Sequence, residues 1–237
     1  MFPVFYQQSR TLFHDLASSP AVKYFLDPLE QHHADSRLHC LRTGLLAIDI
    51  GYSLGLPERL VYELGLAGML HDVGKRGVAY CLLDKDGKPT DEEWRAIKAH
   101  VRLGFVTLRE SAAREDAQIR LSESISRIVV GHHEYQGTRS YPRSGKDRRT
   151  IPRSSVPERR QRDLVIEGLS QALAVADVYD ALSSPRAYKP GFPVERVAEI
   201  LHQDFTGSKH YVHEVLRRGI PNVPAGLVSM EEIVGLN

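Results

Sequence analysis

Only two cysteines occur in 237 residues, Cys40 and Cys81, and no CxxC pair is formed, which argues against a thiolate metal site or a redox dithiol. Two free thiols in a reducing compartment are the simpler reading, so a cytoplasmic protein is expected. Neither sign of charge is in excess. The 31 basic and 30 acidic residues give a net charge of +1, and the molecule as a whole has no electrostatic reason to wrap a nucleic acid polymer. No run of about 18 apolar residues is present, so no membrane span is expected. Met1 to Arg10 shows no basic start followed by an apolar stretch, and no secretory signal is visible there. Internal repeats, a βαβ pattern and the alternation of an extended sheet are missing too. What remains, 42% apolar and 26% charged residues, is the balance of a globular domain large enough to bury a substantial core.

The pattern that is present is helical, and an all-α fold is expected. Leu38, Leu41, Leu45, Ile48 and Tyr52 recur at steps of three and four, the spacing of one buried helical face. Gly55 closes that helix, and Pro57 suits the first turn of the next. Leu60, Leu64, Leu66 and Leu70 carry the second helix to His71, and Gly74 breaks it. Asp84 to Thr90 is turn chemistry. Thr90 and Glu93 form a capping box that starts a helix through Trp94, Ile97, Val101 and Phe105. Further helices are expected from about Leu121 to His132, from about Leu169 to Leu182, from Val194 to His202 and from Ser208 to about Arg217. Residues 1–30 form an N-terminal helical extension of one or two helices, and residues 196–237 form helices capping the bundle. Residues 139–162, rich in arginine, serine and proline, read as an exposed basic loop near the site.

Eleven histidines are many for this length, and their placement matters more than their number. Asp35 and His39 lie four apart at a helix start, so both can point the same way. His71-Asp72 and His132-His133 each end a helix, and His100 lies within the capped one. Asp177 sits among Ala and Val, where a lone carboxylate is costly to bury unless paired or metal-bound. Imidazole and carboxylate together suit Fe, Mn or Zn rather than Mg or Ca. Six or seven such ligands exceed one tetrahedral site, which points to two divalent ions able to activate water for phosphate-ester hydrolysis. A single histidine at a helix end is more often a cap or surface group. His14, His32, His33, His202, His210 and His213 are read that way.

These segments resemble a known family. GMLHDVGKRGV, Gly68 to Val78, is similar to the signature of the HD phosphohydrolases. The order of segments is that of the HD-GYP subfamily of bacterial cyclic di-GMP phosphodiesterases. It runs from His39-Cys-Leu-Arg42 through HDVGK, LLDKDGKPTDEEWRAIKAH and HHE to VADVYDALSSPRAYK. The resemblance spans residues 31–195. It implies a helical bundle in which His39, His71, Asp72, His100, His132, His133 and Asp177 are metal ligands, with Asp72 bridging. Asp35 stands where some members hold a third ion with a glutamate, and is one methylene shorter. Lys75, Tyr141, Arg186 and Lys189 are the residues expected to face the substrate, with Asp72 and Lys75 serving catalysis. The family's HHExxDGxGYP is HHEYQGTRSYP here, with Ser140 in place of a glycine, so an altered loop path is expected.

The function expected is hydrolysis of cyclic di-GMP to pGpG or GMP through a metal-bridging hydroxide. The alternatives are a catalytically impaired cyclic di-GMP receptor or interaction module, docking a signalling partner such as a diguanylate-cyclase domain, and an HD hydrolase for another nucleotide.

Overall fold

The computed structural model describes residues 4–142, 156–185 and 190–218. Among the described residues ten α-helices follow one another: α1 (Val4–Ser18), α2 (Pro20–His32), α3 (Ala34–Ser53), α4 (Glu58–Leu70), α5 (Tyr80–Leu83), α6 (Asp91–Ser111), α7 (Glu123–Val130), α8 (Pro157–Ser183), α9 (Val194–Asp204) and α10 (Lys209–Arg218). Short 3-10 turns lie at Val73–Gly77 and Gly137–Arg139, and no strand occurs among the described residues. The fold is all-α, as the periodicity implied.

Local chemistry sets most of the helix starts. Ser19 accepts from the Val22 amide with Pro20 in the first turn of α2, and His33 caps α3 by accepting from the Ser36 amide. Both halves of the Thr90–Glu93 capping box form, with three acidic residues in the first turn of α6 opposing the helix dipole.

Three boundaries differ from the sequence-based expectation. Pro57 is the N-cap of α4 rather than a residue of its first turn. Helix α7 stops at Val130, and Gly131 caps it, so His132 and His133 lie in the following turn. Helix α8 begins at Pro157, well before Leu169, and takes in Pro157–Arg162 of the stretch read as a loop. Those six residues are exposed, but Pro157 is pre-set for a first helical position and extending a nucleated helix adds a hydrogen bond per residue. Residues 143–155 of that stretch, and residues 219–237, lie outside the described residues.

One core runs through the bundle. Phe13, Leu16, Phe25, Leu26 and Leu29 of α1 and α2 join Leu41, Ile48, Leu64 and Met69 of α3 and α4, and Leu173 and Val175 of α8. Helices α3 and α4 make the most extensive pair, and glycine lets them approach. A Cβ on Gly68 would fall 2.8 Å from the Gly44 Cα, and one on Gly65 would fall 2.4 Å from Ile48 Cγ1. This backbone contact brings His39 of α3 to the end of α4, where the His39 and His71 rings lie 5.0 Å apart.

Candidate metal centre

Five separate segments deliver the seven residues singled out in the sequence to one place. His39 comes from α3, His71 and Asp72 from the end of α4, His100 from α6, His132 and His133 from the turn after α7, and Asp177 from α8. His39 Nε2 lies 3.0 Å from Asp177 Oδ1 and 3.2 Å from His71 Nε2. His71 Nε2 is 3.3 Å from Asp72 Oδ2, and His100 Nε2 is 3.2 Å from Asp72 Oδ1. The His132 ring lies edge-on to His71 at 5.1 Å and tilted against His133 at 4.0 Å. Three overlapping triads have ligand atoms within 4.8 Å of one another: His39, His71 and Asp72; His71, His132 and Asp177; and His100, His132 and His133. Asp72 stands between the two halves, with Oδ2 toward His39 and His71 and Oδ1 toward His100.

The ring orientations suit cation binding. His71, His100 and His132 each donate from Nδ1 to a backbone carbonyl three residues upstream, those of Gly68, Ile97 and Val129. A proton fixed on Nδ1 leaves the Nε2 lone pair facing the cluster. His100 Nε2 and His132 Nε2 are buried with no hydrogen-bond partner, the His100 nitrogen being out of line with Asp72. Orphaned imidazole nitrogens beside two carboxylates are costly unless a cation takes them, and the donor set fits a divalent ion of the Fe, Mn or Zn kind.

The charge states divide in two. Burial works against protonation of His39 and His71, but Asp177 and Asp180 raise the first and Asp72 raises the second well above the ordinary histidine value. Burial lowers His100, drives His132 well down and brings His133 to about 3, so these imidazoles are neutral. Burial opposes ionisation of Asp72 and Asp177, but Lys75 and His71 hold Asp72, and His39 and His71 hold Asp177, well below the usual carboxylate range. Lys75 donates from Nζ to Asp72 Oδ2.

A residue the sequence reading passed over completes the first ligand's setting. His39 Nδ1 donates to Asp180 Oδ2 at 2.7 Å, and Arg42 grips both oxygens of Asp180 at 2.7 and 2.9 Å. Ser184 Oγ adds a third donor at 3.0 Å. Asp180 carries the signal in its spacing, three residues after Asp177 on the same helical face, as Arg42 follows His39 by three.

A cavity of about 480 Å³ opens over the cluster and is lined by His39, Asp72, His100, His133 and Asp177 together with Lys75 and Tyr141. Tyr141 lies nearly parallel to His133 at 4.5 Å, and its amide donates to the His133 carbonyl. Ser140 has an ordinary φ of −58°, and the turn's positive φ falls on Gly137 at 59°. Asp35 is exposed on the first turn of α3 and belongs to none of the three triads; it lines a neighbouring cavity of about 260 Å³ that also reaches His39 and Lys75. Arg186 and Lys189 lie outside the described residues. His33 and His32 are structural, one capping α3 and the other bonding the Val78 carbonyl.

The sequence model of the HD domain matches residues 36–182, the span that supplies every member of the cluster. The chain belongs to the HD domain family. It is 30% identical over 198 residues to a cyclic di-GMP phosphodiesterase of Pseudomonas aeruginosa, covering 82% of this chain and 42% of that protein. It is 32% identical over 166 residues to a cyclic di-GMP phosphodiesterase of Thermotoga maritima, covering 70% and 39%. A 3'3'-cGAMP-specific phosphodiesterase of Vibrio cholerae is 29% identical over 170 residues, covering 70% and 31%. The chain thus spans less than half the length of these relatives. Among the described residues, no helix of this HD domain protein is long and apolar enough to cross a membrane.

Proposed function

We propose that this chain is a phosphodiesterase for cyclic dinucleotides that uses two divalent ions, Fe or Mn, with cyclic di-GMP as the first substrate to test. The observation that carries this reading is the position of Asp72. Its Oδ2 addresses His39 and His71, and its Oδ1 addresses His100, whose buried Nε2, like that of neighbouring His132, has no hydrogen-bond partner. When bound, divalent cations supply Lewis acidity, making water a nucleophile near neutral pH and drawing charge from phosphoryl oxygens.

The protein's own groups do the rest. His39, His71, Asp72, His100, His132, His133 and Asp177 hold the ions in this reading, and Asp35 is left out of the set. Asp180 and Arg42 keep His39 in one tautomer. Lys75 puts an ammonium at the cavity wall next to Asp72, where charge grows on the phosphoryl oxygens. Tyr141 covers His133 and keeps bulk water from that side of the cluster. Arg186 and Lys189 join the substrate contacts by the resemblance of their segment. The substrate class follows the relatives named for cyclic di-GMP and 3'3'-cGAMP.

The test is product analysis with cyclic di-GMP and 3'3'-cGAMP, Fe or Mn being supplied under reducing conditions. Linear pGpG or GMP is expected, with Lys75→Ala keeping its metal and losing turnover. An uncut substrate that still binds tightly would point instead to a nucleotide receptor. Full activity in Lys75→Ala would remove the role assigned to that lysine.

A further inference from the structure

Helix α6 does more than present His100. Trp94, Ile97 and His100 follow one another at steps of three and all line the cavity over the cluster. Six residues of helix separate Trp94 from His100, roughly 9 Å along the axis. Trp94 therefore stands one short molecular unit away from the place where the phosphate would be handled. It is 38% exposed, an unusual state for a residue that normally buries most of its area. Tyr141 lines the same cavity and lies over His133. Lys98 lies near both rings, with Nζ 5.5 Å from the Trp94 ring centre and 5.1 Å from that of Tyr141. A cavity floored by the candidate metal ligands and lined by a part-exposed indole, with an ammonium near two aromatic rings beside it, has the parts that hold a nucleobase.

We propose that Trp94 is the stacking wall of a purine subsite, with Lys98 beside it supplying positive charge to the base edge or the neighbouring phosphate. This inference rests on the nucleotide reading of the site and adds the residue that selects for a base. Metal ligation anchors any phosphate ester equally, whereas an indole face rewards only a flat ring.

The chain has one tryptophan, so its indole fluorescence reports on this residue alone. The metal-supplemented 237-residue chain is titrated with GMP and, separately, with ribose 5-phosphate, which keeps the sugar and phosphate but lacks the base. GMP is expected to quench the emission, and ribose 5-phosphate is not. In calorimetric titrations, Trp94→Leu should weaken GMP by roughly 5- to 150-fold and leave ribose 5-phosphate unchanged, with Trp94→Phe restoring most of the loss. Unchanged GMP affinity in Trp94→Leu overturns the proposal, as does equal perturbation of the emission by both ligands. Cleavage of cyclic di-GMP with a wild-type KM in Trp94→Leu removes the subsite and leaves the activity standing. Trp94-dependent GMP binding without any cleavage leaves the subsite and removes the activity.

Discussion

Replacing Asp180 by asparagine separates the metal-positioning role proposed for this residue from its role in stability. Asp180 is 3% exposed, and burial alone would raise its pKa. The hydrogen bond from His39 and the two-pronged contact from Arg42 outweigh that and bring it to about 2. A folded-state pKa below the unfolded value stabilises the fold above the unfolded pKa, and that stability is lost as pH falls through the folded pKa. A depression of roughly two units is worth about 2–3 kcal/mol at pH 7 and roughly half of that at pH 3. The Arg42 side chain is 31% exposed, so water recovers part of the loss, and about 2 kcal/mol is expected for Asp180→Asn at pH 7. Urea unfolding in the presence of chelator measures this, and the gap between variant and wild type should narrow toward pH 3. The second consequence is for the metal. Losing the carboxylate behind a ligating imidazole costs about 10- to 100-fold in metal affinity, which competition with a chromophoric chelator would show. A gap in stability that does not change with pH, or metal affinity equal to wild type, would refute the reasoning.

Three other outcomes follow from the same geometry. Gly74→Ala puts a Cβ 1.9 Å from the His100 carbonyl oxygen and 2.4 Å from the Gly104 amide nitrogen, both backbone atoms. It should therefore cost more than the roughly 1–3 kcal/mol of ordinary overpacking, and an unchanged melting temperature would contradict the close approach. Asp72→Asn should lose metal, by elemental analysis, together with turnover; full metal content in that variant would show that Asp72 is not a ligand. Removing metal with a chelator should lower the melting temperature and readdition restore it, since a ligand at about 1,000 times its Kd stabilises by about 4 kcal/mol.

Much of the fold could be read from local chemistry. The three-and-four spacing of leucines in α3 and α4 and the Thr90–Glu93 capping box are short-range signals, and short-range hydrogen bonds and burial enforce them in the structure. The length of α8 was not legible, because the polar turns from Pro157 to Arg162 have no apolar stripe and are carried by a helix anchored elsewhere. The end of α7 was placed two residues late, because an apolar run leading into His132 hides the stop at Gly131.

The sequence by itself determined which side chains can carry the chemistry: five segments bearing imidazole and carboxylate, each at or near a helix end or on a buried face, in an order shared with the HD domain family. Only the tertiary structure decided how they meet. The glycine contact of α3 with α4 sets His39 against His71, and the approach of Gly74 to α6 sets Asp72 against His100. Asp180 gains its place from a histidine 141 residues away, and Trp94 from a cavity it lines together with Tyr141. These contacts are long-range and depend on packing at the scale of single methyl groups, so local spacing can mark a residue such as Asp180 as a candidate but cannot name its partner.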